Sequence, residues 1–354
     1  MKRREIICNY QPYILAPPVA SVKLRENSTK NDSTTINHWQ DIWLNNIRAN
    51  KEQMGSFSAN GLQNLYGRLR HRPAILAGSG PSLKYNAEKL RDRGGVPLIS
   101  CLHNFHYFED LEINADYYVS LDAGPIVVSE VTKSGKMSEE DYWQRTEKRK
   151  LVAFIGSDPD LIKKWRGEIY FFNCPIPSQD YMAKVDEIEH YHTFFSTGGN
   201  VLGAALYLAK AFLGVSTAVF IGADFCFGYD DKFHSWDDDT YDTSKGYCIK
   251  AVDVFGNRVD TWQSYKNFKD WFDWVAINVP GIYINASEGG TMGAYAEGNL
   301  AAYKIMDLSD ALEMLNMSDR IYRQAMHPDW NGDLRLGKEQ DRPEELNSFN
   351  YVLF

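Results

Sequence analysis

Two short segments of this sequence combine glycines with hydroxyl side chains, as phosphate-binding loops do. The first reads Gly78-Ser79-Gly80-Pro81-Ser82 and the second reads Ser196-Thr197-Gly198-Gly199-Asn200. Glycines allow tight turns and a close approach to a ligand, and the start of a following helix attracts anions. Each segment therefore predicts either a cradle for a nucleotide, phosphate or carboxylate, or a tight turn with a polar cap. The first segment is not a Walker A loop, because no Gly-Lys-Ser or Gly-Lys-Thr follows it.

Single polar side chains follow three other apolar segments. Asn104 ends the segment 100–104, where it either contacts a base or ribose or caps a helix. Asp122 lies in the segment 120–124, where a carboxylate can bind a ribose, a metal or an acceptor. Glu288 and Gly289 lie in the segment 285–290, which places a carboxylate beside flexible glycines. We expect Glu288 and Gly289 to contact the acceptor or to support residues that do.

An acidic loop carries a histidine. Asp224 follows the apolar run 217–222, and His234 comes ten residues later. His234 has three readings: a solvated surface side chain, a metal ligand together with the aspartates at 237–239, or a general base tuned by nearby carboxylates. The spacing of these residues is not diagnostic of a metal site.

The segments that must position these residues read as short apolar strands separated by helices. We predict strands at 73–78, 97–101, 116–122, 151–156, 168–173, 217–222 and 281–285. We predict helices at 37–54, 83–93, 199–213, 261–277 and 300–315. Apolar strands without alternation, joined by helices, indicate a parallel sheet that is covered on both faces.

The predicted fold class is therefore α/β, a Rossmann-like, doubly wound, mostly parallel sheet with helical extensions at both ends. Ligands of such sheets bind at the carboxyl ends of the strands, near the switch in strand order, so we expect the polar segments above to meet there. The predicted organisation is an N-terminal extension (1–70), a nucleotide-binding transferase domain (71–300), and a C-terminal helix and polar tail (301–354). The first 35 residues read as irregular, with a linker at 26–35, and the helix at 37–54 is predicted to pack on the main domain.

Composition limits the class of protein. The 354 residues are 44% hydrophobic and carry a net charge of -9, which excludes a wholly disordered chain and argues against a general nucleic-acid binder. The five cysteines show no Cys-x-x-Cys spacing, so we expect neither a disulfide framework nor a structural zinc site. The first 20 residues lack the pattern of a signal peptide, and no apolar run reaches the length of a membrane span. These features predict a cytoplasmic protein.

The order of the motifs is similar to that of a known family. The stretches GSGPSL, ADYYVSLD, STGGNVLGAALYLAKAFLG, FIGADFCF, HS, DVFGNRVDT and INASEGG, between about residues 74 and 295, resemble the DUF115 (MptE-like) family. That family contains the motility accessory factor glycosyltransferases, which are implicated in attaching sialic-like nonulosonic acids to flagellin, and the MptE-like 6-hydroxymethylpterin diphosphokinases. The central domain of the former is similar to bacterial sialyltransferases, whose nucleotide loop reads GNGPSL, so Ser79 stands where those enzymes have asparagine.

The resemblance implies a metal-independent transfer of a nonulosonic acid from a CMP-sugar to a hydroxyl of a protein or glycan. It implies that the segments 78–82 and 196–200, with Asn104 and Asp122, bind the donor. It implies that His234 deprotonates the acceptor hydroxyl, and that Asp224 shares the catalytic edge with it. No cofactor is required in this reading.

Two alternatives stay open. The diphosphokinase branch would transfer pyrophosphate from ATP with Mg²⁺, whose carboxylate ligands would be Asp122 together with Asp224 or Asp230. The segment 120–124 holds a single aspartate rather than a pair, which disfavours this branch. The third reading is a non-catalytic module that binds a nucleotide or sugar.

Overall fold

The computed structural model describes residues 21–326 apart from 177, 233, 237–241 and 243–247. Its centre is a sheet of eight parallel strands: β1 Pro73–Ala77, β2 Leu98–Cys101, β3 Tyr117–Ser120, β4 Lys150–Phe154, β5 Glu168–Phe172, β6 Thr217–Ile221, β9 Ile282–Asn285 and β12 Tyr303–Ile305. Two antiparallel hairpins lie outside it, β7 Cys248–Val252 with β8 Arg258–Trp262, and β10 Ala294–Tyr295 with β11 Gly298–Asn299. The order in the main sheet is β12-β9-β6-β1-β2-β3-β4-β5.

Helices connect the strands. The α-helices are α1 Ser21–Met54, α2 Leu83–Asn86, α3 Phe105–Asp110, α4 Ile126–Glu130, α5 Glu139–Arg145, α6 Pro159–Lys164, α7 Gln179–Ile188, α8 Val201–Tyr207, α9 Gln263–Asn278 and α10 Leu308–Met326. Short 3₁₀ turns cover Leu62–Leu65, Ala87–Arg93, Leu102–Asn104 and Thr146–Lys148, and a π-helical turn covers Leu208–Leu213. None of these described helices is long and apolar enough to cross a membrane.

The central strands are buried on both faces. All five residues of β1 are buried, as are all four residues of β2 and of β3. A strand without a solvent face has no reason to alternate apolar and polar residues, which is why these strands read as continuous apolar runs. The prediction of a Rossmann-like α/β fold is confirmed.

The strand order reverses at β1. From β1 the chain builds outward through β2, β3, β4 and β5, then returns to place β6 on the other side of β1, followed by β9 and β12. Ile75 of β1 consequently pairs with Leu98 of β2 on one side and with Val219 of β6 on the other. The crevice between the carboxyl ends of β1 and β6 is the switch point at which such sheets bind ligands.

The N-terminal helix is longer than predicted. Helix α1 begins at Ser21, so the segment 26–35, predicted as a linker, is helical. Its asparagines, serines and threonines are weak helix formers but not breakers, and neither glycine nor proline occurs between residues 21 and 54. Asn50 of α1 donates to the carbonyls of Ile155 and Ser157, so the helix packs on the main domain as expected. The predicted irregular residues 1–20 lie outside the described residues.

The C-terminal part also differs from the prediction. Residues 303–305 form the edge strand β12, paired with β9, so the helix predicted at 300–315 begins at Leu308 instead. Helix α10 continues to Met326, past the helix end predicted at 315, and residues 327–354 lie outside the described part. Helix α7 and the β7–β8 hairpin were not predicted. The hairpin escaped notice because its strands are half-exposed and not continuously apolar.

Candidate functional site

The loops after β1 and β6 interlock at the switch point. The amide of Gly78 donates to the carbonyl of Ile221 at 2.9 Å, and the amide of Gly80 donates to the carbonyl of Gly222 at 2.8 Å. A Cβ atom at Gly80 would lie 2.7 Å from the Gly222 oxygen and would overlap the carboxylate of Asp224. The glycines of this loop are therefore required by the neighbouring backbone, whatever else the loop binds.

Asp224 lies beneath this loop rather than in the open crevice. Its carboxylate accepts hydrogen bonds from the Ser82 hydroxyl at 2.9 Å and the Ser82 amide at 3.3 Å, and the residue is 4% exposed. Gly289, whose Cβ would stand 3.6 Å from Oδ1 of Asp224, closes the other side. Burial raises the pKa of Asp224 to about 7, although the bonds from Ser82 oppose the shift. This geometry holds the start of α2 in place, so Asp224 is a positioning residue here.

We expect Asp224→Asn to stabilise the protein increasingly as the pH rises from 5 to 8. The folded-state pKa is above the unfolded value, so the folded protein binds the extra proton between about pH 4 and pH 7, and its stability falls as the pH rises through that window. At about 1.4 kcal/mol per pKa unit, the variant should gain roughly 2–4 kcal/mol relative to wild type between pH 5 and pH 8. Urea unfolding at both pH values measures this gain.

The exposed carboxylate of Asp230, which pairs with Lys84, provides the control for that measurement. Asp230→Asn should show no gain between the two pH values. A gain in Asp230→Asn equal to that of Asp224→Asn would mean that the effect is not due to burial.

Asn104 is buried and holds the β1 loop. Its amide group donates to the carbonyl of Gly78 at 2.9 Å and to the hydroxyl of Ser100 at 3.0 Å, while its Oδ1 has no hydrogen-bond partner. It caps no helix through its side chain. Asn104 therefore fixes the loop through its nitrogen and presents an unpaired acceptor through its oxygen.

Other buried polar atoms at this edge share that property. In the described part of the chain, the hydroxyls of Ser79, Ser120 and Ser235 are buried without a hydrogen-bond partner. Ser79 lies in the β1 loop and Ser120 ends β3, and the amide of Ser235 donates to the carbonyl of Ser79 at 3.3 Å. Buried polar groups are normally paired, so these atoms are available to bond a polar ligand or an ordered water.

The loop that carries His234 lies beside these buried serine hydroxyls. The imidazole of His234 stacks on Trp236 with 5.2 Å between ring centroids, and Trp236 packs against His106 at 5.2 Å and Tyr107 at 6.0 Å. The bond from Ser235 to Ser79 joins this loop to the β1 loop. The structure thus brings His234 to the switch point, while the aspartates at 237–239, offered as co-ligands, lie outside the described residues.

His103 was not predicted as a site residue, although it directly precedes Asn104. Its ring lies 6.2 Å from that of His234, and its Nε2 lies 2.6 Å from the carboxylate of Glu130 and 3.5 Å from that of Asp122. Burial alone lowers the pKa of His103, but the hydrogen bond to Glu130 and the two negative charges outweigh it, so the pKa is raised. Burial also raises the pKa of Asp122, against the attraction of His103. A histidine after one strand and an aspartate after the next were the signal that could have identified this pair.

The segment 196–200 is a helix cap packed under aromatic rings. Asn200 caps α8 by accepting from the amide of Gly203 at 2.9 Å. Gly198 has a φ of 59°, and a Cβ there would run into the ring of Trp271 on α9. Thr197 accepts from the amide of Gly199, and Ser196 is buried. The segment therefore has the capping role that was one of its two predicted roles. The side chain of Leu202, which follows the segment, contacts Gly78 at the switch point.

Glu288 contacts Lys89 and the start of helix α10. Its carboxylate pairs with Lys89 at 2.7 Å and accepts from the amide of Leu308 at 2.9 Å, which caps α10. Gly289, in contrast, lies between Asp224 and Ser82. Of the two roles expected for these residues, contact with an acceptor or support of other residues, these contacts fit support.

A groove of about 800 Å³ lies elsewhere, between the end of α1 and the start of β5. Its walls include Met54, Trp165 and Tyr170 and none of the predicted site residues. We place the functional site at the switch point because the orphaned polar atoms and the two histidines converge there.

Comparison with known proteins found a matching family model and a similar solved structure. Residues 43–230, more than half of the chain, match a family model described as 6-hydroxymethylpterin diphosphokinase MptE-like. The fold is similar to the solved structure of the MAf glycosyltransferase from Magnetospirillum magneticum AMB-1, with a TM-score of 0.52 and 15% identity over 80% of this chain and 42% of that one. The chain thus spans less than half the length of that protein, and the likeness concerns the fold. A search of curated protein sequences found no match.

Proposed function

This chain belongs to the MptE-like family, and we propose that it is a transferase that binds a nucleotide-activated donor at the switch point and transfers the activated group to an acceptor hydroxyl. The observation that carries the proposal is the set of orphaned buried acceptors and hydroxyls there, with His103 and His234 beside them. Ser79 and Asn104 follow β1 and β2, and Ser120 ends β3, so their unpaired atoms lie along one edge of three adjacent strands.

We further propose a CMP-linked nonulosonic acid as the donor. Such a donor carries a phosphate and a carboxylate, and the site offers hydroxyl donors together with a cationic imidazole. The sequence Gly78-Ser79-Gly80-Pro81-Ser82-Leu83 resembles the nucleotide loop of bacterial sialyltransferases, and the structural neighbour is itself a glycosyltransferase. The acceptor is then a hydroxyl of a protein or glycan.

In the proposed step, a ring nitrogen of His234 takes the proton of the acceptor hydroxyl. The acceptor oxygen forms a bond to the anomeric carbon while the bond from that carbon to the phosphate oxygen breaks, and CMP leaves with the electron pair. Helix α2 is only four residues long, so its dipole stabilises the phosphate less than the sequence implied. Positive charge at this edge would come instead from His103 when it is protonated, a state that Glu130 and Asp122 favour.

The family description supports a second candidate, pyrophosphate transfer from ATP to a hydroxymethyl group. That chemistry uses Mg²⁺, which prefers carboxylate and phosphate oxygens. Among the described residues at this edge, the position between Asp122 and Glu130 is occupied by His103, and Asp224 is bound to Ser82. The residues present therefore do not fit a carboxylate-held Mg²⁺ well.

Nucleotide binding tests these proposals directly. We expect CMP to raise the melting temperature without added metal, because a ligand that binds only the folded state stabilises it. CDP, UDP, GDP and ATP are compared, each with Mg²⁺ and with EDTA. A shift with ATP that requires Mg²⁺ would favour the diphosphokinase, and no shift with any nucleotide would contradict both and favour a sugar-binding module.

A matched pair of variants locates the binding. Ser79→Ala removes an orphaned hydroxyl and should leave the unliganded stability unchanged while weakening CMP binding about tenfold, the value of one hydrogen bond to a charged group. Ser129→Ala removes an exposed hydroxyl on α4 and should change neither quantity. Titration calorimetry measures both affinities, and equal affinities would place the nucleotide elsewhere.

A further inference from the structure

A cluster of two histidines and one aspartate lies outside the site described so far. Asp186 is in the last turn of α7, and His190 and His192 follow in the segment that leads toward β6. Their ligand atoms all lie within 4.8 Å of one another. In the described part of the chain, no other group of three such side chains converges in this way.

The backbone aims both histidines at the aspartate. Residues i and i+2 of an extended segment point to the same side, and Tyr191 between the histidines is buried, with its hydroxyl donating to the carbonyl of Phe171. Nδ1 of His190 bonds to Oδ1 of Asp186, and Nε2 of His192 lies 3.6 Å from the same oxygen. One carboxylate oxygen is thus the common neighbour of both rings.

The segment that carries the histidines is held at several points. The carbonyl of Tyr191 accepts from the side chain of Asn173 at 3.2 Å. The amide of Asn173 donates to the carbonyl of Thr193 at 2.7 Å, and the amide of Phe195 donates to the carbonyl of Asn173 at 2.8 Å. Glu189 accepts from the Phe57 amide at 3.1 Å. The carboxylate of Asp186 is 5% exposed and the ring of His190 is 70% exposed, so two ligands are fixed by the fold and the third can adjust.

We infer that Asp186, His190 and His192 form a binding site for a divalent transition metal of the zinc class. Imidazole nitrogens and a carboxylate oxygen are ligands that zinc accepts in sites with one open position. Bonds of ~2.0–2.1 Å place tetrahedral ligands about 3.3 Å apart, which a small movement of the exposed His190 ring achieves. The metal replaces the hydrogen bond between His190 and Asp186, and solvent takes the open position.

The bound metal would fasten the end of α7 to the segment 190–195. That segment pairs with Asn173 at the carboxyl end of β5 and continues directly into residues 196–200. The metal would therefore stabilise this local structure, and its site lies outside the proposed transferase machinery. This ligand set contains no cysteine, so the absence of Cys-x-x-Cys spacing from the sequence does not bear on it.

Zinc binding to the full chain tests the inference. After treatment with EDTA and removal of the chelator, equilibrium dialysis with elemental analysis should give one Zn²⁺ per chain at pH 7.5. Loss of a ligand should cost more than the ten- to hundredfold typical of an outer-shell partner, so His190→Gln, His192→Gln and Asp186→Asn should each weaken binding at least about a hundredfold. His38→Gln, on the exposed face of α1, should bind zinc like wild type.

Circular dichroism of the metal-free proteins shows whether each variant folds, and the conservative Asp186→Asn covers the case in which a histidine variant does not. Co²⁺ in place of Zn²⁺ gives a visible spectrum that reports nitrogen and oxygen ligands. Failure of the wild-type chain to bind zinc, or wild-type affinity in the folded ligand variants, would overturn the inference.

Discussion

Gly80→Ala is expected to destabilise the fold by about 2–4 kcal/mol and to abolish nucleotide binding. The added methyl group would stand 2.7 Å from the carbonyl oxygen of Gly222 and inside the carboxylate of Asp224. Neither neighbour can withdraw easily, since Gly222 accepts the Gly80 amide and Asp224 holds Ser82. The β1 loop must therefore move away from β6, which separates the two sides of the crevice. Urea unfolding and calorimetry with CMP, the proposed nucleotide, measure the two effects.

Gly289→Ala is the control for Gly80→Ala, because it adds the same group to the same pocket. Its methyl group would stand 3.6 Å from Asp224 Oδ1 and from Ser82 Cβ, which is ordinary contact distance, so the free energy of unfolding should change by less than about 1 kcal/mol. If both variants unfold at the same urea concentration as wild type, the interlocking of the two loops is not what holds this site.

His234→Ala is expected to lower kcat by about 10²–10⁴-fold, the range typical of a lost general base, with little change in stability or donor affinity. The side chain is half-exposed and rests on Trp236, so its removal leaves no buried cavity. Release of free nucleotide from the donor is the assay. The pH profile is the decisive readout, since the limb that reports deprotonation of the base should vanish in the variant. Full activity in His234→Ala would remove it from the mechanism.

The role of His103 is tested by the pH dependence of nucleotide affinity, in which its variant should differ from His234→Ala. Its pKa is raised by Glu130 and Asp122, so the imidazolium persists above the usual pKa of histidine, near 6.5. Nucleotide affinity in the wild type should be full at low pH and should fall as the pH rises through that raised pKa. His103→Gln should bind weakly at all pH values, whereas His234→Ala should keep the wild-type binding profile. A wild-type affinity that does not change with pH would contradict the proposed cation.

The sequence alone predicted the elements whose place in the fold depends on a single strand and the loop that follows it. β1 and β6 are buried on both faces, so their residues had to be apolar, and the polar residues after them had to meet at one edge. β12 is three residues long and half-exposed, so its place in the sheet depends on pairing with β9. Helix α7 did carry a local signal, because Ser178 accepts from the amide of Tyr181 as an N-cap.

The same division holds within the site. The location of the β1 loop and of His234 at the edge of the sheet could be predicted from residue type and position in the sequence. His103 could not be assigned a charge, because its partners Asp122 and Glu130 come from other elements. Gly198 was predicted to lie in a ligand cradle or in a capped turn, but the ring of Trp271, far along the chain, is what requires a glycine at that position. Packing between distant segments supplied what local pattern could not.

The return of the chain to β1 has a consequence for folding during synthesis. β2 pairs with β1 early, but the other edge of β1 has no partner until the ribosome has made β6. The carbonyl of Asp224 gains its partner only after Thr291 has been made. The amide and the hydroxyl of Thr291 donate to that carbonyl at 2.7 and 3.1 Å. The family segment 43–230 therefore ends before its own crevice is complete. The apolar edge of β1 stays open for much of translation, which is when an incomplete sheet is most prone to aggregate.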